Sequence, residues 1–411
     1  MRRCCRGSSS ISSPVSTAAA SSSIIRTPQL RAAAVPRFLL DPERTGAFLP
    51  LTVEVHRCPY KPRVEVFLKA VQIHRHGGVE QLCFEQTTEP RLESPCDVIV
   101  KLKAAALNRI DLRVRGGQNG TILSFPHILG CDGAGVVVDR GAAVKNVRIG
   151  ESVCLFPALG CATCDCCAAG NEPLCDQFHT LGERMNGTYA EYVRVPSANC
   201  FPIPVGLSFE EAAAFPLVFA TAWGMLHTSA KLRPGEWVLI RGIGGGVATA
   251  ALRLALDFRA HVIVTSRRNE KLRRALELGA RHGIATTCDV AAEVRRLTGK
   301  RGVDVVVDCA GGEDWTGSLA ALARGGRLVS CGASSGSEPK TNLRRIFWNH
   351  LKIFGSSLCS RQEFGRVLKF IEVAGARPVL DKIFPLADAV KAQQRLEDGE
   401  QFGKIILRVE G

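Results

Sequence analysis

The segment Trp237-Val238-Leu239-Ile240-Arg241-Gly242-Ile243-Gly244-Gly245-Gly246-Val247-Ala248 decides the fold of this chain. Four apolar residues typical of a buried strand lead into a glycine-rich turn, and residues 246–258 continue as an apolar helix. Glycines allow a backbone to approach phosphate closely, and the first turn of a helix offers unpaired N–H groups and a positive dipole. The segment therefore predicts a dinucleotide-binding turn, with a purely structural turn as the alternative. The predicted cofactor-binding residues of this turn are Gly242, Gly244, Gly245, Gly246 and Val247.

Short apolar segments alternate with helical segments beyond this turn. Residues 261–265, 303–307 and 327–330 are typical of strands, and residues 271–278 are typical of a helix. Strands separated by helices of about ten residues require crossover connections, and such connections produce a parallel sheet. We therefore predict an α/β fold with a doubly wound parallel sheet.

The end of the second strand of this sheet indicates the type of dinucleotide. An NAD site places Asp or Glu there to bind the ribose hydroxyls. This chain has no acid at that point and instead carries Ser266, Arg267 and, slightly further on, Lys271. Because arginine presents a bidentate fork to phosphate oxygens, these residues are predicted to bind the 2′-phosphate of NADPH. The alternative is a basic helix start exposed to solvent.

The region before residue 210 has a different texture. Residues 68–73, 97–102, 135–139 and 151–155 are short strand-like segments bounded by turns, without long helices between them. This pattern favours a small barrel-like β domain. A C-terminal strand at residues 404–408, preceded by two helices, is expected to return to the same domain.

A cysteine-rich loop follows the fourth of these strands. Cys161, Cys164, Cys167 and Cys175 have the spacing C-x2-C-x2-C-x7-C. Four thiolates in one short loop suit a tetrahedral zinc ion, and a site closed by four sulfurs is structural rather than catalytic. A chance cluster or a disulfide knot is the alternative in a chain with 17 cysteines, and Cys166 offers an alternative ligand to Cys167.

The N-terminal segment has the composition of a targeting sequence. Residues 1–67 carry ten Lys/Arg and four Asp/Glu, and the first acid is Asp41. An arginine- and serine-rich leader that begins without acids is typical of an organellar transit peptide. We predict a mitochondrial location, with chloroplast or cytoplasm as alternatives, and a disordered tail without targeting function as the alternative for the leader itself.

Composition limits the remaining function classes. The chain has 411 residues, of which 46% are hydrophobic, and is long enough for two or three domains. It contains no run of 18 apolar residues, so we predict no transmembrane helix and no membrane partner. The net charge is +14, but basic residues are not interleaved with aromatic ones, so a small-molecule substrate is expected rather than nucleic acid.

The order of these parts resembles the medium-chain dehydrogenase/reductase superfamily, from residue 68 to residue 409. The resemblance rests on residues 69–71, 125–135, 187–192, 213–216, 302–306 and 402–407. It implies a GroES-like β-barrel catalytic domain, a Rossmann domain and an active site in the cleft between them. The most similar branch contains quinone oxidoreductases and enone reductases that keep the structural zinc lobe. The implied boundaries are residues 68–218 for the catalytic domain, with its zinc lobe at about 158–178, residues 219–350 for the Rossmann domain, and residues 351–411 for its last strand and the return.

The chain departs from the superfamily at the catalytic metal. The zinc alcohol dehydrogenases bind that zinc through a Cys, a His and a second Cys, and the matching positions here are Asn108, Cys131 and Leu217. A catalytic zinc needs three protein ligands and an open position, and Asn108 and Leu217 are poor replacements. Without a Lewis acid, alcohol oxidation loses its means of activating the hydroxyl group. We therefore predict NADPH-dependent hydride transfer to an activated double bond, carbonyl or quinone.

Catalytic candidates follow from the same comparison. Asn108 is the predicted hydrogen-bond donor to the developing enolate oxygen, with Asp111, Cys131 and Asp132 lining the site. For Asp111 the alternative is a role that only braces the Asn108 loop. His127 is a candidate proton source, with a structural role as its alternative.

Two other functions and one assembly remain open at this point. The alternatives are a zinc-dependent alcohol dehydrogenase with atypical ligands, and a non-enzymatic nucleotide- or RNA-binding protein on the same fold. The resemblance also implies a homodimer or homotetramer paired through an edge strand near residues 325–333.

Overall fold

A computed structural model of the chain describes residues 67–118, 120 and 122–410. The predicted transit peptide therefore lies outside the described residues. Within the described part of the chain, no helix is long and apolar enough to cross a membrane.

The first part of the structure is rich in short strands. Its strands are β1 (Phe67–Ile73), β2 (Cys83–Thr88), β3 (Asp97–Ala106), β4 (His127–Ile128), β5 (Asp132–Arg140), β6 (Ser152–Leu155), β7 (Ala158–Leu159), β8 (His179–Thr180), β9 (Tyr192–Pro196) and β10 (Cys200–Pro202). Its α-helices are α1 (Arg109–Arg115) and α2 (Asp165–Ala168).

Helices and strands alternate in the second part. The first elements are α3 (Phe209–Ala214), α4 (Pro216–Trp223), a π-helical turn (Gly224–Ser229), β11 (Trp237–Ile240), α5 (Gly246–Asp257), β12 (His261–Ser266), α6 (Asn269–Glu277), β13 (His282–Ala285) and α7 (Val290–Leu297). The later elements are β14 (Val303–Asp308), α8 (Trp315–Ala321), β15 (Leu322–Ser330), α9 (Leu343–Trp348), β16 (Lys352–Gly355), α10 (Arg361–Ala374), β17 (Leu380–Pro385), α11 (Ala389–Glu397) and β18 (Lys404–Arg408).

Strands β11 to β16 of the second part form a parallel sheet, as predicted. Its order is β13-β12-β11-β14-β15-β16, and every neighbouring pair is parallel. The chain leaves β11 toward β12 on one side and later crosses to β14 on the other. The glycine turn after β11 therefore lies where the strand order reverses, which is where open α/β sheets bind ligands. The α/β fold class is confirmed.

One expectation about this sheet is wrong. Residues 325–333 were expected to provide the edge strand, but β15 is internal because β16 pairs with it from Arg327–Lys352 to Ser330–Gly355. At that end of the sheet the edge strand is therefore β16, whose side chains are mostly exposed.

Strands of the first part join β17 and β18 in a seven-stranded sheet of order β10-β6-β5-β3-β18-β17, with β9 paired to β3. The other strands of the first part form a sheet of order β2-β1-β4 and the pair β7-β8. The C-terminal strand β18 is antiparallel to β3, so the predicted return of the chain to the β domain is present. Strand β17 was not predicted and is parallel to β18. Its exposed alternating residues lack the apolar pattern of a buried strand.

A continuous apolar core joins the two parts. It includes Ala104 and Ala134 of the β domain together with residues of the parallel sheet and its helices. An aromatic group lies between them, in which the rings of Phe156 and Phe215 are centred 4.8 and 5.8 Å from the ring of Phe364 in α10. This packing holds the β domain against the parallel sheet and its helices.

Candidate functional site

The glycine turn between β11 and α5 has room for a ligand. Gly242 and Gly244 have φ angles of +67° and +118°, which side chains with a Cβ rarely adopt. A Cβ added at Gly242 or Gly245 would meet no atom within 4 Å. Helix α5 begins at Gly246 without a side-chain cap, so its first N–H groups have no partner within the helix. The turn therefore offers donors and free space to an anionic group.

Four cations lie near this turn: Arg109, Arg267, Arg268 and Lys271. Burial lowers the pKa of the Arg109 guanidinium, and the charges of Arg113 and Arg267 lower it further. Burial likewise lowers the pKa of Lys271 to about 8, with contributions from Arg268 and Arg109. Cations that lower one another's pKa in this way repel one another, and a bound anion relieves that repulsion.

The predicted 2′-phosphate residues lie together at the end of β12. Ser266 is buried, and its Oγ accepts a hydrogen bond of 3.1 Å from the N–H of Arg268. Arg267 is exposed, and no described carboxylate pairs with it. Lys271 passes beside Gly244, where an added Cβ would lie 2.6 Å from its Cδ, and its Nζ donates to the carbonyl of Gly399 at 2.7 Å. These residues and the turn fit a dinucleotide.

A buried ion pair lies beneath the turn, in the β domain. The ammonium of Lys404 donates to Asp132 Oδ2 at 2.9 Å, to Asn108 Oδ1 at 2.6 Å and to the carbonyl of Leu107 at 2.8 Å. Asp132 Oδ1 accepts from the N–H of Leu217 at 2.9 Å. The Lys404 and Asp132 side chains are only 3% and 0% exposed, so their opposite charges compensate each other away from solvent. This cluster contains Asn108 and Leu217, two of the positions that correspond to catalytic zinc ligands in the superfamily.

The amide of Asn108 is oriented by this cluster. Because the Lys404 ammonium can only donate, Asn108 Oδ1 must face it, and Nδ2 faces Asp132 Oδ2 at 2.8 Å. Its second proton lies between Cys131 Sγ at 3.2 Å and the carbonyl of Ala106 at 3.3 Å. A thiol is a weak acceptor, so this second proton is the one that Asn108 can exchange most easily for another acceptor.

Asp111 supports the same loop from its other side. Its Oδ2 accepts hydrogen bonds of 2.8 Å from the backbone N–H of Asn108 and from the hydroxyl of Tyr189. Burial raises the pKa of Asp111 to about 7, although these two hydrogen bonds oppose the shift. Asp111 therefore fixes the Asn108 backbone.

His127 and Cys131 differ in their relation to the cluster. Cys131 is buried and contacts Asn108, and burial raises its thiol pKa well above the ordinary value. The Nε2 atom of His127 is bonded to the carbonyl of Gly182 at 3.0 Å, and no hydrogen bond among the described residues joins it to Asn108 or Asp132. Burial lowers the pKa of His127.

Sequence reasoning missed three residues of this region: Lys404, Tyr189 and Arg109. Lys404 is separated from Asp132 by 272 positions, so no local pattern links the two. A usable signal was present, because Lys404 begins a strand whose next three residues are apolar, and it is buried with them. For Arg109 the signal is its place directly after Asn108, which could have added it to the predicted cations Arg267 and Lys271.

The C-terminal return connects the cluster with the glycine turn. The N–H of Gly403 donates to the carbonyl of Gly244 at 2.9 Å. A Cβ at Gly246 would lie 3.0 Å from Lys404 Cδ, so the lysine stem passes directly by the start of α5. The turn and the buried ion pair therefore form one site.

The cysteine lobe has the geometry of a metal site. The sulfur atoms of Cys161, Cys164, Cys167 and Cys175 all lie within 4.8 Å of one another, and they are the one such group of possible metal ligands in the described chain. The hydroxyl of Thr163 and the N–H of Cys164 donate to the sulfur of Cys161 and lower its pKa to about 6. Two further N–H groups, of Cys161 and Gln177, donate to the sulfur of Cys175 at 3.4 Å. Four such sulfurs fit zinc, and Cys166 is not among them.

Comparison with known proteins identifies the family. Residues 94–205 match the model of the alcohol dehydrogenase GroES-like domain, and residues 246–373 match that of the zinc-binding dehydrogenase family. A zinc-type alcohol dehydrogenase-like protein of Schizosaccharomyces pombe is 32% identical over 81% of this chain and 97% of its own length. The quinone oxidoreductase of Rattus norvegicus is 26% identical over 83% of this chain and 97% of its own.

A solved structure gives the same result. The crystal structure of an NAD-dependent alcohol dehydrogenase is 43% identical, covers 83% of this chain and 100% of its own, and superposes with a TM-score of 0.79. The chain belongs to the zinc-binding dehydrogenases of the medium-chain dehydrogenase/reductase superfamily. It is therefore an oxidoreductase, with a nicotinamide cofactor and zinc implied by its family.

Proposed function

We propose that this member of the superfamily is an NADPH-dependent reductase that transfers hydride to an activated carbon–carbon double bond, a carbonyl or a quinone. In this proposal, zinc binds only in the four-cysteine lobe. One relative, from rat, is named a quinone oxidoreductase, which is consistent with a quinone as hydride acceptor.

The observation that carries the proposal is the ion pair between Lys404 and Asp132. Asn108 and Leu217 replace the two cysteines of the family's catalytic zinc site, and the nearby carboxylate is already neutralised by a buried ammonium. A second cation at this point would meet the positive charge of Lys404 in a site of low dielectric, which is strongly unfavourable. Substrates that need no Lewis acid, because their acceptor carbon is already polarised, suit such a site.

The choice of NADPH rests on charge. Residues 266–269 at the end of β12 include Ser266, Arg267 and Arg268 and no acid. Some relatives are named NAD-dependent alcohol dehydrogenases. The preference of this chain for NADPH is therefore argued from its own residues after β12. The exposed guanidinium of Arg267, unpaired within the described residues, supports a 2′-phosphate ligand.

Asn108 is assigned the role of donor to the substrate oxygen. When bound, NADPH supplies the hydride. Lys404 holds the Asn108 carbonyl oxygen and polarises the amide, which makes the Nδ2 protons better donors. The proton that faces Cys131 can turn to an oxygen that gains negative charge during the reduction. The last proton comes from water or from a side chain in the cleft.

A substrate panel tests this function. NADPH oxidation is followed by absorbance with enals, enones, acryloyl thioesters and quinones, and the reverse direction is followed with primary and secondary alcohols. We expect NADPH oxidation with at least one activated acceptor. We expect no reduction of NADP⁺ at a comparable rate with any alcohol. Turnover of alcohols alone would instead indicate a zinc alcohol dehydrogenase, and salt-sensitive RNA binding without any turnover would indicate a non-enzymatic protein.

The Asn108→Ala variant tests the assigned role. Loss of one donor to a developing oxyanion lowers kcat by about 100-fold or more. We expect this loss in kcat with little change in the KM for NADPH, in protein whose thermal unfolding shows an intact fold. An unchanged kcat would remove Asn108 from the mechanism.

A further inference from the structure

Two cysteines outside the zinc lobe lie side by side in the parallel sheet. The sulfur atoms of Cys309 and Cys331 are 3.4 Å apart. Each cysteine directly follows a strand, and the preceding residues Asp308 and Ser330 are paired in register between β14 and β15. Both cysteines are partly exposed and neither is in a disulfide. A disulfide usually joins residues whose Cα atoms are about 4.4–6.8 Å apart. Directly opposed residues on paired strands have a Cα separation within this range.

The pair lies at the edge of the sheet that carries the glycine turn. Strand β11, which leads into that turn, is parallel to β14, so the turn and both cysteines follow the carboxyl ends of neighbouring strands. Ligands of open α/β sheets bind along this edge. The dinucleotide's adenosine end is assigned to β12, on one side of β11, so its nicotinamide end extends to the other side, toward β14 and β15.

The loops that follow the two cysteines are bonded to each other. The N–H of Gly312 donates to the carbonyl of Gly336 at 3.0 Å, and the N–H of Ser335 donates to that of Ala310 at 2.8 Å. A change in the distance between Cys309 and Cys331 therefore moves both loops together.

We propose that Cys309 and Cys331 form a redox-sensitive dithiol whose oxidation to a disulfide lowers the activity of the enzyme. The effect on activity rests on the proposed function, whereas formation of the disulfide does not. Nothing in the hydride-transfer mechanism uses these two thiols.

The oxidant is a peroxide. One thiol is oxidised by hydrogen peroxide to a sulfenic acid, with release of one water. The second thiol then attacks the sulfenic sulfur, the S–S bond forms, and the hydroxyl leaves as a second water after taking the thiol proton. Two electrons pass from the two thiols to the peroxide, and a dithiol reductant returns them.

Disulfide formation would affect activity because it displaces the two loops that carry the sulfur atoms. An S–S bond is about 2.05 Å long, so the two sulfurs must approach each other from their present 3.4 Å. The loops that carry them border the nicotinamide end of the proposed cofactor site. A misplacement of reacting groups by about 1 Å can lower the rate by up to about 100-fold.

The sequence allows a direct test by mass spectrometry. Trypsin releases Cys309 in residues 302–324 and Cys331 in residues 328–340, each the single cysteine of its peptide. The zinc-loaded protein is treated with hydrogen peroxide, its remaining thiols are alkylated, and the peptides are mapped without reduction. We expect these two peptides to be joined, NADPH-dependent turnover to fall at least about tenfold, and dithiothreitol to reverse both changes.

Variants separate this pair from the other cysteines. We expect the turnover of Cys331→Ser to be insensitive to peroxide, relative to its own untreated rate. Cys288→Ser, which removes an exposed thiol elsewhere, keeps the full sensitivity of the wild type. Zinc content is measured before and after oxidation, so that loss of zinc from the lobe is recognised.

Three results would overturn the proposal: both peptides alkylated as free thiols after oxidation, a cross-link that leaves turnover unchanged, or an equal loss of turnover in Cys331→Ser. If no acceptor is turned over at all, the proposed function has failed separately, because the cross-link and the NADPH affinity of both redox forms are measured without a substrate. In that case an unchanged NADPH affinity after cross-linking would also overturn the regulatory effect.

Discussion

At the level of single residues, the account depends most on Lys404. Its charge is buried, and its three hydrogen bonds end on Leu107, Asn108 and Asp132. Removal of one partner from a buried ion pair leaves the other charge without compensation, whereas removal of both charges is often tolerated. Single and double substitutions in this cluster are therefore expected to change the free energy of unfolding by different amounts.

Lys404→Met is expected to lower the free energy of unfolding by about 3–5 kcal/mol, because Asp132 loses its buried counter-charge. The double variant Lys404→Met with Asp132→Asn should recover most of this loss. Chemical denaturation measures both values. Lys369→Met, an exposed lysine on α10, serves as the control and should change stability by less than about 0.5 kcal/mol. A Lys404→Met protein as stable as this control would contradict the ion pair.

Asp111 predicts a pH dependence. Its folded pKa of about 7 lies above its ordinary value of 3.8, so the folded state holds the proton more tightly than the unfolded state does. The resulting stabilisation is present at low pH and is lost as pH rises through this interval. Asp111→Asn keeps an oxygen that can accept from Asn108 and Tyr189 but cannot ionise.

We therefore expect the unfolding free energy of the wild type, minus that of Asp111→Asn, to fall as pH rises toward about 7 and then to level off. Urea denaturation at several pH values gives this difference, and its subtraction removes the titration of all other groups. A difference that does not vary with pH would show that Asp111 has the same pKa in the folded and unfolded states, and would contradict the raised value.

At the level of elements, the sequence predicted those helices, strands and turns that local residue patterns determine. The glycine turn, α5 and the parallel strands were predictable because apolar runs, glycines and helix lengths recur at short range. Strand β17 was missed because its side chains are largely exposed, and the edge position of β16 depends on pairing that no local pattern encodes. The contact between Lys404 and Asp132 was unpredictable for the same reason.

The cysteine lobe supplies the prediction at this scale. Cys175→Ser should lose most of the bound zinc and lower the thermal midpoint, because a closed four-sulfur site contributes directly to folding. Cys166→Ser should keep its zinc, since the Cys166 sulfur lies outside the group of four. Metal analysis and thermal unfolding are measured on both. Equal zinc loss in the two variants would mean that the ligand set is wrong.

The lobe also contacts the parallel domain. The carboxylate of Glu172 accepts a hydrogen bond of 3.2 Å from the N–H of Arg361 and pairs with its guanidinium at 3.4 Å. Arg361 is the first residue of α10, where a negative charge is favoured by the helix dipole. Zinc loss is therefore expected to loosen this contact as well as the lobe.

At the level of the whole molecule, Arg109 of the β domain lies close to the cations Arg267 and Lys271 that follow β12. Arg267→Ala should raise the KM for NADPH by about tenfold or more and leave the KM for NADH unchanged, because only NADPH carries the 2′-phosphate. Arg273→Ala, on the same helix as Lys271 but exposed and near Glu277, is the matched control. Equal effects on both cofactors would contradict the assignment of Arg267 to the 2′-phosphate.

The central claim is that one zinc serves folding while the buried Lys404–Asp132 pair takes the place of a catalytic metal. The most direct test is the zinc content of purified protein, by mass spectrometry of the metal, on the same sample that oxidises NADPH with an activated acceptor. We expect about one zinc per active chain, bound by the four-cysteine lobe. About two per chain, with activity lost in proportion to removal of the second, would contradict this claim.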